Sequence, residues 1–114
     1  MHELSIAMGI VEAALDEAQK RSVRVSAVHL RLGALSGVVK DALLFSYEMA
    51  CQDTALQGSR LMVEDVPVVI FCAICEKEQT LESVQSFACP VCSTPTMNIL
   101  KGKELEVFAL EVDE

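Results

Sequence analysis

Four of the five cysteines stand in two close pairs, Cys72–Cys75 and Cys89–Cys92, which form a C-x2-C-x13-C-x2-C array. Each pair can form a tight turn that directs two thiolates at one ion, and the residues between the pairs allow a hairpin that brings both turns together. Four thiolates with no open position suit a structural, tetrahedral Zn(II) site. The spacing alone leaves two alternatives, a rubredoxin-like iron centre and two separate redox dithiols.

The first three residues carry a second set of metal donors. The α-amine of Met1, the backbone nitrogen of His2 and its Nδ1 atom can chelate one ion, and the amide of Glu3 adds a nitrogen close by. Planar, nitrogen-rich donor sets suit Ni(II) or Cu(II). The alternative is that His2 is an ordinary residue on a frayed terminus. No combination of nucleophile, base and orienting group is recognisable, so we do not expect an enzyme.

Two further residues with reactive side chains have simpler explanations. His29 alternates with the apolar residues Val28 and Leu30, and without neighbouring ligands we expect it to be a surface or packing histidine. Cys51 is unpaired at the end of an apolar segment, and we expect it to be a small buried hydrophobe.

Length and composition limit the class of protein. The chain has 114 residues, 52% of them hydrophobic, with a formal net charge of −8, which suits one domain with a small module and disfavours nucleic acid and anionic membranes as partners. Acidic residues around Lys77 and the scarcity of aromatic residues also argue against a nucleic-acid-binding zinc ribbon. We see no signal peptide and no apolar run as long as a membrane span, and we expect a cytoplasmic protein.

The elements that must position these residues follow from hydrophobic periodicity. In chain order, we predict a helix over 4–21, a strand over 23–32, a turn over 33–37, a helix over 39–51, a strand over 61–66, a cysteine module and a strand over 104–111. This order predicts an α+β fold, with two helices packed on a small three-stranded sheet and an inserted, zinc-ribbon-like module of four cysteines. The predicted domains are 1–67 with 101–114, and the zinc-binding insertion 68–100. The wide apolar surface of the second helix suggests a subunit interface, as in a homodimer.

Three stretches together resemble one family, the hydrogenase-maturation nickel metallochaperones HypA/HybF. They are the opening Met1-His2-Glu3-Leu4-Ser5, the middle Leu32-Gly33-Ala34-Leu35-Ser36 with the later Phe45-Ser46-Tyr47-Glu48, and the two cysteine pairs followed by Gly102-Lys103-Glu104-Leu105. The resemblance covers essentially the whole chain. A histidine at position 2 together with this cysteine array is specific, whereas either feature alone would not be.

The resemblance implies a function and a set of partners. His2 would be the essential nickel ligand, assisted by backbone nitrogens of Met1 and Glu3, and Cys72, Cys75, Cys89 and Cys92 would hold a structural zinc. Nickel would be delivered to the large subunit of a [NiFe]-hydrogenase, with a HypB-type nickel GTPase supplying the regulated step. Some lineages use the same protein for urease maturation.

Two departures from the family pattern limit what is carried over. Some members have an acidic residue near the start of the second helix that can reach nickel, whereas this chain has Val39, with Asp41 two residues later. Some members place a histidine directly after a cysteine pair, where Glu76 and Ser93 stand here. We therefore leave the fourth nickel ligand open and do not expect histidine to exchange into the zinc site.

Two other functions remain open from the sequence. One is a zinc-stabilised adaptor that recruits maturation partners without carrying nickel. The other is a thiol oxidoreductase that uses one of the cysteine pairs.

Overall fold

A computed structural model describes residues 2–82 and 86–113 of the chain. In chain order the elements are α1 (Glu3–Arg21), β1 (Arg24–Gly33), α2 (Lys40–Cys51), β2 (Arg60–Val66), β3 (Val68–Cys72), β4 (Lys77–Leu81), β5 (Ile99–Lys101) and β6 (Leu105–Asp113). Two three-stranded sheets are present, with the orders β2-β1-β6 and β4-β3-β5. In the described part of the chain, no helix is long and apolar enough to cross a membrane.

The chain separates into two compact units. Unit 1 contains Met1–Leu30, Gly37–Glu64 and Glu106–Glu114, and unit 2 contains Arg31–Ser36 and Asp65–Leu105. Helices α1 and α2 pack together in unit 1. The predicted α+β class is confirmed, with two helices, a three-stranded sheet and an inserted module that holds the four paired cysteines.

The sequence of helix α1 accounts for its buried face and for its C-terminal end. Its buried side chains, Ala7, Ile10, Val11 and Ala14, recur at the spacing of one helical face. At its C-terminus, Ser22 adopts a left-handed conformation, and its N–H donates to the carbonyls of Ala18 and Gln19. Lys20 and Arg21 lie in the last turn, where their positive charges interact favourably with the negative end of the helix dipole.

The central strand β1 is the most buried strand of its sheet. Its burial alternates from Val25, and the alternation shifts by one residue where the neighbours Ala27 and Val28 are both buried. The sequence pattern of alternating residues predicted this strand to within a residue at each end, but it did not predict the shift in phase, which depends on neighbours distant in sequence.

Unit 2 has a small core of its own around strand β3. This strand pairs antiparallel with β4, from Val68 opposite Leu81 to Cys72 opposite Lys77, and with β5 on its other side. Val68, Ile70 and Leu81 form this core together with Cys72 and Cys89. Two of the five buried residues of this cluster are cysteines of the array. The core of unit 2 therefore includes two of the four candidate metal ligands.

Gly33 lies at a crossing of two backbone segments in unit 2. Its N–H donates to the carbonyl of Glu104 at 2.7 Å, and the N–H of Leu35 donates to the carbonyl of Gly102 at 2.6 Å. A Cβ atom on Gly33 would lie 2.2 Å from the carbonyl oxygen of Gly102, a backbone atom that cannot rotate away. Residue 33 must therefore be glycine because of the close approach of the backbone.

We expect Gly33→Ala to lower the free energy of unfolding by at least about 2 kcal/mol, because the added methyl group separates two hydrogen-bonded segments. Gly9→Ala is the matched control, since Gly9 lies inside α1 with nothing within 4 Å of a built Cβ. That substitution should raise the free energy of unfolding by about 0.5–1 kcal/mol through helix propensity. Urea denaturation of both variants measures the two changes, and equal effects would contradict the assigned crossing.

Candidate metal centre

The four paired cysteines converge on one point in unit 2. Their Sγ atoms all lie within 4.8 Å of one another. The Sγ atoms of Cys72 and Cys92 are 3.5 Å apart, and those of Cys75 and Cys89 are 3.8 Å apart. Four sulfurs at the zinc–sulfur bond length in a tetrahedron would be about 3.8 Å apart. The cluster is therefore the right size for a tetrahedral ion bound by four thiolates.

Each cysteine pair forms a similar turn. Cys72 is the last residue of β3, and its Sγ atom accepts a hydrogen bond from the N–H of Cys75 at 3.4 Å. In the second turn, the N–H of Ser93 donates to the carbonyl of Cys89 at 2.8 Å. The residue after each pair is left-handed, with a φ of 56° at Glu76 and 63° at Ser93. The two turns thus share a left-handed residue directly after the second sulfur.

The four thiols differ in burial, and two of them, Cys75 and Cys92, have shifted pKa values. Cys72 and Cys89 are buried, Cys75 is partly buried and Cys92 is exposed. Hydrogen bonding with Cys92, followed by burial, raises the pKa of Cys75 to about 12. A hydrogen bond with the Thr94 hydroxyl, 3.2 Å away, lowers the pKa of Cys92 to about 6. Of these two thiols Cys92 is therefore the more acidic, and a cation would have to displace the proton of Cys75.

Three residues that contribute to this site were not predicted to do so from the sequence. Thr94 interacts with the sulfur of Cys92, and the left-handed residues Glu76 and Ser93 close the two turns. The position directly after each cysteine pair could have been recognised as a turn residue. Neither is glycine, which is the usual signal of a left-handed backbone.

The N-terminal residues lie in unit 1, at the start of α1. His2 is the N-cap residue, its carbonyl accepts from the N–H of Ile6 at 3.2 Å, and its side chain is exposed and makes no capping hydrogen bond. Its imidazole is therefore not used by the helix. Met1 lies outside the described residues.

Glu3 connects the two helices of unit 1. One of its carboxylate oxygens, Oε2, accepts from the N–H of Val39 at 3.2 Å, and Val39 is the N-cap residue of α2 with no capping side chain of its own. The hydrogen bond to Val39, followed by one to its own backbone, lowers the pKa of the Glu3 carboxyl below its ordinary 4.5. A lowered pKa means that this contact stabilises the fold above pH 4.5 and is lost as the pH falls through the lowered value.

His29 and Cys51 both have structural partners in unit 1. The Nε2 atom of His29 is 2.8 Å from the carboxylate of Glu111, and its ring lies edge-on to Phe108, with the centroids 5.9 Å apart. The Sγ atom of Cys51 is buried, 3.8 Å from the Ser59 hydroxyl. In the part of the chain that the structure describes, the only group of three or more potential metal ligands is the four-cysteine cluster.

The chain matches known proteins in sequence and in fold. The profile of the family described as "Hydrogenase/urease nickel incorporation, metallochaperone, hypA" matches residues 1–112. The hydrogenase maturation factor HypA of Chloroflexus aurantiacus is 54% identical over 112 residues, which are 97% of this chain and 98% of that protein. The hydrogenase maturation factor HypA of a Roseiflexus species is 48% identical over 115 residues, with 100% and 94% covered.

The fold is similar to a solved structure from a more distant organism. The solution structure of the Ni metallochaperone HypA from Helicobacter pylori aligns with a TM-score of 0.66 at 20% sequence identity, covering 98% of this chain and 97% of that one. At that identity the likeness concerns the fold alone. The family profile confirms the resemblance drawn from the three sequence stretches and the expectation of a maturation factor without catalytic activity. With 112 of its 114 residues matched, the chain belongs to the HypA family of hydrogenase/urease nickel-incorporation metallochaperones.

Proposed function

We propose that this protein binds Ni(II) at its N-terminus and delivers it to the large subunit of a [NiFe]-hydrogenase during maturation. The observation that carries the proposal is the exposed imidazole of His2, which makes no capping hydrogen bond at the N-cap of α1, in a chain that matches this family over residues 1–112. The α-amine of Met1 and the backbone nitrogens of His2 and Glu3 complete the donor set. A HypB-type nickel GTPase in the cytoplasm is the proposed partner in the delivery step.

The chemistry of this donor set suits a carrier. Nickel must displace protons from the imidazole and from backbone amides, so its affinity falls as the pH drops. An ion held at a chain terminus by few ligands exchanges more readily than one in a closed cage. The Glu3–Val39 hydrogen bond supports the proposal in a second way, because it holds the backbone at residue 3 against the start of α2.

We infer that the four-cysteine cluster holds Zn(II) in a structural role. The S–S distances of 3.5 and 3.8 Å suit a tetrahedral ion, and all four sulfurs are needed to surround it. Bound there, zinc would supply folding energy to a unit whose core cluster has five buried residues. Glu76 and Ser93, and no histidine, stand directly after the two cysteine pairs, so exchange of an imidazole for a thiolate is not part of this inference.

The first test is a nickel titration of tag-free protein against the same protein with three residues added before Met1. The extension keeps every side chain but removes the α-amine from its place, so we expect about one Ni(II) per chain for the native form and at least about tenfold weaker binding for the extended form. His2→Ala should lose binding to the same extent. His29→Ala is the matched control and should bind like the native protein. Equal binding by all four proteins would exclude the terminus as the site, and absence of binding would favour the adaptor function.

Glu3→Gln tests whether residue 3 contributes its backbone or its carboxylate. The glutamine side chain can still accept the hydrogen bond from Val39 but is a poor metal ligand, so nickel affinity should stay within about threefold of native. The pH-dependent part of stability that this carboxylate contributes should disappear from acid denaturation curves, since no ionisable group remains at residue 3. A loss of nickel affinity greater than about tenfold would instead identify the carboxylate as a ligand.

Cys72→Ser tests the structural role of the cluster. We expect zinc content to fall from about one ion per chain to near zero and the β3–β4 pairing to melt, because a folded zinc site contributes folding energy directly. Cys51→Ser is the matched control, as Cys51 is also buried but lies outside the cluster, and it should keep its zinc. Metal analysis and amide exchange of β3 measure both effects. A Cys72→Ser protein with an intact, zinc-free unit 2 would contradict the inference.

A further inference from the structure

A groove in unit 1 lies between helix α2 and strand β2. Its volume is about 620 Å³, within the range of about 300–1,000 Å³ that is usual for binding pockets. Its helical wall is formed by residues that recur every three or four positions along α2 and therefore share one face of the helix. They are Leu44, Tyr47, Glu48, Cys51 and Gln52. Neither His2 nor the cysteine cluster lines the groove, so it needs an explanation of its own.

The opposite wall of the groove is the edge of strand β2. Three consecutive residues of this strand, Arg60, Leu61 and Met62, line the groove. Successive side chains of a strand point to opposite faces of a sheet, so a groove that met one face only would be lined by alternate residues. Among the described strands, in the order β2-β1-β6, β2 has a neighbour on one side only. The backbone groups on its other side are a template with which a further strand can pair.

The connection between α2 and β2 closes one end of the groove. Gln57, Gly58 and Ser59 of this connection all line it. The Ser59 hydroxyl is 2.7 Å from the Tyr47 hydroxyl and 3.8 Å from the Sγ atom of Cys51, so the end of α2 is held against the start of β2. An added strand that follows the edge of β2 therefore meets the protein's own backbone at this end and has to stop there.

The groove combines apolar walls with two charged residues. The buried side chains of Tyr47, Cys51 and Leu61 line it, so an apolar side chain inserted beside them would lose its contact with water. The charged lining residues are Arg60, which is the first residue of β2 and lies at the closed end, and Glu48 on α2. A negative group at the closed end and a positive group beside Glu48 would complement them.

The spacing of the two charges suits an extended chain. Gln52, directly after the last residue of α2, lies at the closed end, and Glu48 precedes it by four residues, or about 6 Å along the helix axis. Two residues of a strand span about 6.8 Å. A strand whose last residue lies at Arg60 therefore brings the third residue from its end level with Glu48.

We propose that this groove binds the C-terminal segment of a partner protein, which pairs antiparallel with β2. The terminal carboxylate pairs with Arg60, the apolar last side chain enters the groove, and a lysine or arginine two residues earlier faces Glu48. A chain terminus supplies both the negative charge and the end that the closed groove requires, whereas an acidic residue within a longer segment supplies only the charge. The proposal is independent of the nickel function, because the N-terminus and the cysteine cluster lie outside the groove.

Fluorescence anisotropy of a labelled peptide tests the proposal on the tag-free, zinc-loaded protein. The probe is Thr-Ser-Val-Lys-Thr-Val with a fluorophore at its N-terminus and a free C-terminal carboxylate, and the comparison peptide is its C-terminal amide. We expect micromolar binding of the probe and at least about tenfold weaker binding of the amide. Arg60→Gln should weaken binding of the probe about tenfold and change that of the amide by less than about threefold, because it removes the partner of the carboxylate alone.

Arg24→Gln is the matched control, since Arg24 is an exposed arginine at the start of β1, outside the groove. Glu48→Lys should prefer a peptide with glutamate in place of the lysine by at least about threefold. Amide exchange should slow in β2 and not in β6 when the probe saturates the protein. Absence of binding, equal affinities for the acid and the amide, equal effects of Arg24→Gln and Arg60→Gln, an unchanged preference in Glu48→Lys, or unchanged exchange in β2 would each overturn the proposal.

Discussion

The hydrogen-bonded crossing at Gly33 is the constraint on which unit 2 depends. The N–H groups at the end of β1 and just after it donate from Gly33 to Glu104, from Ala34 to Val66 and from Leu35 to Gly102. One short stretch is therefore hydrogen-bonded to two others far away in sequence. This is possible only because residue 33 has no side chain and because Gly102 adopts a φ of 127°. The two glycines stand in two of the stretches that carried the family resemblance. Their presence there has a physical cause. A Cβ atom on residue 33 would meet backbone at 2.2 Å, and the φ of 127° at residue 102 is one that residues with a side chain rarely adopt.

The elements that could be predicted from sequence are those whose signals are local. Helical spacing identified α1 and α2 to within a residue at their starts, and the four cysteines were recognised as one cluster because ligand chemistry and turn spacing are both encoded within a few residues. Strand β5 follows the second cysteine pair and was not predicted. It has only three residues, and it forms by pairing with β3, which is distant in sequence. Likewise, no pattern in the sequence indicated that Glu3 would hold the N–H of Val39, 36 residues away.

The two groups of potential metal ligands are built in opposite ways. In the cysteine cluster, two ligands are in the core of unit 2 and all four belong to paired turns, so the donors converge on one enclosed point. At the N-terminus, His2 is exposed and its side chain makes no cap, and the nearest fixed point is the Glu3–Val39 hydrogen bond. A closed cage suits an ion that stays bound, whereas an open terminus suits an ion that is passed to another protein. This contrast is the physical basis for the proposed division of roles between zinc and nickel.

The left-handed residues Glu76 and Ser93 have a kinetic consequence for the cysteine cluster. Such a conformation costs a non-glycine residue about 1–2 kcal/mol, and it persists only where surrounding contacts enforce it. Each residue directly follows a sulfur ligand, so loss of a bound ion would allow both turns to relax toward ordinary backbone angles. Rebinding would then require both turns to be formed again at once. Return of a metal ion to the emptied cluster would therefore be slower than its binding to turns that are already formed.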